Sequence, residues 1–339
     1  LGKPEPRKNL EFEKTWGARK SGARENREQR AGKPPAFRVR RAFFLDSKPY
    51  LHPNGTKGIF SLLSGHRLDL SFWQIAAALG AFVAIGALTG FLAGLLGMGA
   101  GVLLAPLYFH AFVPLGVPSE DAIGLSIGTA LAAIGVVSLV ATAQHFQRGT
   151  LLPAQMMRFA APLAVGALAG AVLVLSLDGR TRMAVCGAIV LLLALHFAFI
   201  GEAKALKKPQ PVFFGYAMLL LSGGAAVLSA IGGGSFAATL LRLFGVSRRH
   251  VSAIAASLGL ISAAIGTVAF TTISISPRPA FVVGGVHFVA ALVSALVIIA
   301  TTPIGARLAR FVQPRLVQIV FAFFLVAIAL TLLREAGVS

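Results

Sequence analysis

The chain has 339 residues, of which 56% are hydrophobic and only 13% charged, with a mean hydropathy of +0.79 and a formal net charge of +19. A soluble domain carries about 25% charged residues, so the composition excludes an ordinary soluble globular protein. The charge is uneven: residues 1–71 hold 16 Lys and Arg against 7 Asp and Glu, whereas the far longer stretch 72–339 holds 15 against 5.

The first 71 residues read as a basic, largely disordered tail, with charges of both signs, prolines, glycines and little apolar periodicity. Between Lys33 and Lys48, Arg38, Arg40 and Arg41 mix with Phe37, Phe43 and Phe44. That mixture suits anionic lipid headgroups, though a solvated segment is the simpler reading. No nucleic-acid partner is expected, because the 25 Phe sit largely inside apolar runs rather than on a basic face. The apolar run that follows is too long and too far along the chain for a signal peptide. The single cysteine, Cys186, lies in an apolar run and cannot form an internal disulfide.

No formal charge occurs over the 50 residues between Asp69 and Glu120, and further uncharged stretches recur to the C-terminus. A helix needs roughly 20 apolar residues to cross the hydrocarbon core, and a central charge costs about 2.5–3.5 kcal/mol. Barrel strands would show short alternating segments, which are absent. The body is therefore expected to be an all-α polytopic membrane protein. Its predicted helices are 75–96, 102–113, 122–144, 155–176, 183–201, 212–231, 235–244, 251–272, 281–301 and 316–334. Eight are long enough to cross; 102–113 and 235–244 give only about 18 and 15 Å. Each of these two follows a glycine cluster, Gly97-Met98-Gly99-Ala100-Gly101 and Gly232-Gly233-Gly234.

That coincidence is part of an internal repeat. Leu96–Gly101 aligns with Ser229–Gly234 at a lag of 133, Leu115-Gly116-Val117 with Phe244-Gly245-Val246 at 129, and Ala132–Gly135 with Ala263–Gly266 at 131. The last alignment also pairs Ser126 with Ser257 and Gly128 with Gly259. The order holds over some fifty residues, which points to duplication, with halves at 72–205 and 206–339. If both short segments cross, giving ten passes, 11 of the body's 15 Lys and Arg share one side; if both turn back, giving eight, the split is 7 to 8. Cytoplasmic loops are enriched in Lys and Arg, so the count favours the first arrangement and with it inverted repeats, while the basic tail argues the other way.

Glycine-rich backbone at membrane depth must be buried in protein or line a wet cavity. A short helix starting there points free N–H groups and a positive dipole end into that space, and two such breaks in corresponding positions mark the substrate site of a secondary transporter. The dipole sign favours a small anion. The expected substrate-binding residues are Gly97, Gly99, Gly101, Gly232, Gly233 and Gly234, with Ser235 as a cap of the second short helix and Ser126, Thr129 and Ser257 as polar contacts. Arg242 serves equally well as an anion contact or a snorkelling interface residue. Close helix packing is the competing account of the glycines, and Gly90-xxx-Gly94 suits it well. His110, His196 and His287 lie in apolar runs, where a hydrogen-bonded contact between helices is the simplest role.

Gly90 to Gly101, followed by Pro106, Gly116 and Ala122–Ser126, resembles the signature of the sulfite exporter TauE/SafE family. His145–Gly149 and the glycine-rich helix after it fit the same pattern, and Gly232-Gly233-Gly234 is similar to the family's second copy. Ala100 stands where the first copy usually has glycine, and Thr239 where the second usually has proline. The resemblance covers roughly 84–335 and leaves out the tail. It implies a carrier of the bacterial cytoplasmic membrane for sulfur-containing anions such as sulfite or organosulfonates.

Two alternatives remain from different classes. An anion channel would differ from a carrier by non-saturable flux. A membrane-embedded hydrolase could pair Ser235 with His287, but no nucleophile signature surrounds Ser235. No His-Glu-x-x-His zinc motif and no Walker phosphate loop occurs, so neither a metal, a cofactor nor ATP is expected. The expected partners are a small anionic substrate and the lipid bilayer.

Overall fold

The computed structural model describes residues 72–96, 101–199, 212–273, 275 and 281–337. The tail, Gly97 and Gly99 lie outside the described residues. Ten helices are described: α1 (Phe72–Leu96), α2 (Gly101–Phe112), α3 (Ser119–Gln147), α4 (Pro153–Ser176), α5 (Gly179–Phe199), α6 (Val212–Ser229), α7 (Gly233–Leu243), α8 (Arg248–Thr271), α9 (Phe288–Leu308) and α10 (Pro314–Glu335). Strands β1 (Val282–Val283) and β2 (Val286–His287) form a hairpin between α8 and α9. Seven helices, α1, α3, α4, α5, α8, α9 and α10, are long and apolar enough to cross a membrane, and α2 and α6 are shorter apolar helices. The protein is an all-α polytopic membrane protein.

Local sequence explains several helix ends. Pro153 and Pro314 open α4 and α10, where the missing N–H costs nothing. Asp178 holds the start of α5: its carboxylate accepts from the Thr181 N–H at 3.3 Å and the Thr181 hydroxyl at 2.6 Å. Those bonds hold its carboxyl below the usual carboxylate range. Large apolar side chains also face outward, Phe213, Phe311 and Phe323 among them, as lipid contact requires.

The glycines report how the helices run, because each marks a close approach. On α1, a Cβ at Gly86 would meet Ser294, one at Gly90 would meet Ile298 and Thr301, and one at Gly94 would meet Thr302 and Ala306 of α9. The indices rise together, so α1 and α9 are parallel, and Gly90-xxx-Gly94 is a packing surface. By the same rule Gly166 and Gly170 of α4 meet Leu220 and Gly224 of α6, another parallel pair. On α3 and α8 the indices run oppositely: Gly128 meets Phe270, Leu131 meets Gly266, and Gly259 meets Ser138. The pair α5 and α10 is also antiparallel, with Gly187 against Leu333 and Arg315 donating to the Ala198 carbonyl at 3.1 Å.

These directions alternate along the chain when α2 and α7 each count as one pass. Had both short helices turned the chain back to the side it came from, α3 and α8 would run parallel. α2 does return along α1: the Phe82 ring lies 6.2 Å from Tyr108 and 5.9 Å from Phe112, near the far end of α2. The C-terminal ends of α3, α5, α7 and α9 and the starts of α4, α6, α8 and α10 therefore share one face. Arg148, Arg158, Arg248, Arg249, Arg310 and Arg315 stand at those ends.

One predicted element is displaced. The helix expected at 281–301 is α9 at 288–308, and residues 282–287 are the hairpin. Val282 pairs with His287 and Val283 with Val286 across Gly284-Gly285, and Gly284 sits at φ +60°, a conformation that glycine supplies without strain. At the other end α9 continues through Pro303. The Thr301 and Thr302 hydroxyls donate to the Val297 and Ile298 carbonyls there, support of the kind that lets proline sit inside membrane helices.

Candidate functional site

The two glycine breaks meet. A Cβ on Gly101, the first residue of α2, would overlap the Ile231 carbonyl oxygen, just before α7, and would lie 2.8 Å from Ile134 Cδ1. A Cβ on Gly232 would lie 3.0 Å from Ile134 Cγ2. Ile134 is midway along α3, so α2 and α7 both start deep in the bundle. The turn into α7 is tight: Ala230 has φ +53° and Gly232 φ +78°, and both Ala230 and Ile231 are buried. A non-glycine residue at positive φ is uncommon and persists only where its surroundings hold it.

The first turn of α7 packs on α8. A Cβ on Gly233 would lie 2.7 Å from Ser262 Oγ, and one on Gly234 2.6 Å from the Ala255 carbonyl oxygen. Gly233 N–H donates to Ser262 Oγ at 2.9 Å, and that hydroxyl donates to the Gly259 carbonyl at 3.1 Å. Gly232 is the N-cap of α7. Ser235, expected as the cap, is instead the third helical residue, because the chain enters the helix two residues earlier than its polarity suggests. Ser262 was missed at the sequence level: its repeat counterpart is Leu131, so no symmetry flags it. Ser262→Ala leaves a buried N–H unpaired, a loss of about 1–3 kcal/mol, and a lower thermal midpoint with unchanged insertion is the expected result.

The other predicted residues divide. Ala255, Gly259 and Ser262 are the α8 residues that the start of α7 touches. Ser257, two positions from Ala255 and from Gly259, lies on another face of α8, whereas Ser126 lies two turns of α3 before Ile134. Both are buried, and each donates within its own helix, Ser126 to the Ala122 carbonyl at 2.6 Å and Ser257 to the Ala253 carbonyl at 3.1 Å. A hydroxyl whose hydrogen is so engaged offers an anion no donor in that rotamer. Thr129 differs: it accepts from the His287 backbone N–H at 2.9 Å. Arg242 is in the last turn of α7, about 13 Å from Gly233 along the helix, and so is not at the break. His110 Nε2 is 3.3 Å from Thr331 Oγ1, a contact between α2 and α10. Ser235 and His287 are not brought together: Gly234 lies by Ala255 and Gly259, while the hairpin packs on Phe270, about 16 Å further along α8. Among the described residues no cluster of three His, Cys, Asp or Glu could hold a metal.

The profile of the family described as sulfite exporter TauE/SafE matches residues 82–332, from within α1 to near the end of α10. The chain belongs to the TauE/SafE family. A relative, the "Probable membrane transporter protein" of Haemophilus influenzae, is 23% identical over 256 residues, covering 73% of this chain and 95% of that protein. No solved structure matches the chain significantly. The TauE/SafE match spans both glycine breaks and the hairpin and leaves out the tail, so the chain is a multi-pass protein of a membrane transporter family, and the meeting of Gly101 with Ile231 lies inside the region that defines it.

Proposed function

We propose that the chain is a secondary transporter that carries small sulfur-containing oxyanions, sulfite or organosulfonates, across the bacterial cytoplasmic membrane. The observation that carries this reading is the meeting of the two breaks, with α2 and α7 both starting in the middle of the bundle. Helix N-termini carry partial positive charge, and discontinuous helices facing each other between repeats are the architecture of anion sites in secondary carriers. The halves 72–205 and 206–339 are inverted repeats in this reading: α3 and α8 are corresponding helices and run antiparallel, and α1 on α9 corresponds to α6 on α4. In this reading the substrate meets Gly101 and Gly232–Gly234 at the breaks, and Gly97 and Gly99 join them by their place in the sequence. Thr129 and Ser257 are the polar residues of the two corresponding helices. Transport, rather than hydrolysis, is its activity.

Saturable sulfite flux into proteoliposomes is the expected result. Thermal stabilisation by sulfite or a sulfonate, and less by sulfate, identifies the bound anion, because a ligand that binds only the folded state raises its stability. Gly233→Leu, which drives a side chain into Ser262, is expected to abolish the flux. Non-saturable flux would make the protein a pore, and sulfite flux unchanged by Gly233→Leu would remove the breaks as the site.

A further inference from the structure

The two halves differ in how their third and fourth helices are joined. Residues 148–152 link α3 to α4, whereas residues 272–287 separate α8 from α9, and the last of these fold back into the bundle. Val286 is fully buried, Gly285 N–H donates to the Phe270 carbonyl at 2.7 Å, and a Cβ on Gly128 would overlap the Gly285 carbonyl oxygen. His287 N–H reaches Thr129 Oγ1 at 2.9 Å. Thr129 is ten residues into α3, about 15 Å from its start and about 7 Å along the axis from Ile134 at the breaks. The hairpin thus delivers a histidine to membrane depth, against the end of α2 that lies away from the breaks.

That histidine is held in one tautomer and one pose. Its Nδ1 accepts from the Ala290 backbone N–H at 3.2 Å. A backbone amide can only donate, so in the neutral ring the proton is on Nε2. The ring stacks on Phe112 (5.8 Å, 16°) and meets Phe82 edge-on (5.4 Å, 62°). Tyr108 locks the same turn by donating to the Ala290 carbonyl at 3.2 Å. Among the described residues His287 Nε2 has no hydrogen-bond partner, and the Thr129 hydroxyl, which accepts from the His287 backbone, has no acceptor for its own hydrogen. The His287 ring therefore holds an uncommitted Nε2–H in a fixed pose between aromatic side chains.

We propose that His287 Nε2–H donates to an oxygen of the transported oxyanion, a contact carried by the hairpin that only the second half of the protein contains. The proposal rests on the carrier reading above. Phe82 and Phe112 flank the ring and hold its orientation, so the Nε2–H is aimed before an acceptor arrives. Neutral donors suit an ion that must also leave.

The test exploits the two nitrogens. His287→Asn places an amide oxygen where Nδ1 stands, keeps the cap on Ala290 and removes the Nε2 donor. His287→Gln carries an amide N–H close to the Nε2 position and gives up the cap. In proteoliposomes, His287→Asn is expected to melt like the unaltered protein and to raise the KM for sulfite about tenfold or more. His287→Gln is expected to melt lower and to recover most of that KM. If His287→Asn transports normally while His287→Gln loses flux in step with its stability, the histidine is a helix cap alone and the proposal fails. Absence of saturable sulfite flux in the unaltered protein would overturn the carrier reading and this proposal together.

Discussion

Gly101→Ala is expected to lower the proposed sulfite flux severalfold or more without preventing membrane insertion. The added methyl overlaps the Ile231 carbonyl oxygen and lies 2.8 Å from Ile134, so one of the two chains must move. Neither does so freely: Ile231 is buried between Ala230 and Gly232, both at positive φ, and Gly101 opens a helix packed against α1 and α3. Overpacking of this kind costs about 1–3 kcal/mol, small against the stability of a ten-helix bundle and large for a site whose two halves must fit each other during transport. The expected loss of flux is about fivefold to about 150-fold, by the same energies converted to rate. Gly80→Ala is the control. A Cβ there meets nothing within 4 Å and the residue is exposed on α1, so both flux and thermal midpoint stay within error of the unaltered protein. Equal flux in the two variants would show that the contact between the breaks is packing only.

The helices and their order were legible because uncharged runs bounded by Arg, Asp and Glu can only be lipid-crossing segments. Gly232-Gly233-Gly234 and the shortness of the segment after it were equally plain. The hairpin at 282–287 was not: Val282, Val283, Phe281 and Val286 have the hydropathy of a helix start, and periodicity cannot separate a short buried strand from one. The β-branched residues around Gly284-Gly285 were the available signal. The site was less legible than the fold. That Gly101 lies on Ile231 is a contact across 130 positions, and nothing local announces it. Whether a serine is a donor depends on its rotamer, so Ser126, Ser257 and Thr129 look alike in sequence yet only Thr129 keeps its hydrogen uncommitted. Ser262 reaches Gly233 from 29 residues away and has a leucine as its repeat partner.

Pro114 and Ser247 occupy corresponding turns, after α2 and after α7, and cysteines at these positions are expected to label from opposite sides of the membrane. The alternation of helix directions requires it. α3 starts beside Pro114 and α8 starts beside Ser247, and α3 and α8 are antiparallel. Repeats related by an axis along the membrane normal, or short helices that return the chain to its own side, would put both turns on one face. Arg148→Cys and Gln313→Cys should label with Ser247→Cys, and Arg180→Cys and Arg334→Cys with Pro114→Cys. All six positions are exposed, where substitutions usually change stability by no more than about 0.5 kcal/mol. The native background is silent, because the single cysteine, Cys186, is fully buried in α5. The basic residues then set the absolute direction. Arg148, Arg158, Arg248 and Arg249 lie on the Ser247 face, and Lys and Arg are retained in the cytoplasm, so an impermeant maleimide added outside intact cells should reach Pro114→Cys and not Ser247→Cys. Labelling of both from the same side would overturn the inverted arrangement, and with it the pairing of α2 and α7 as opposed helix starts at one anion site.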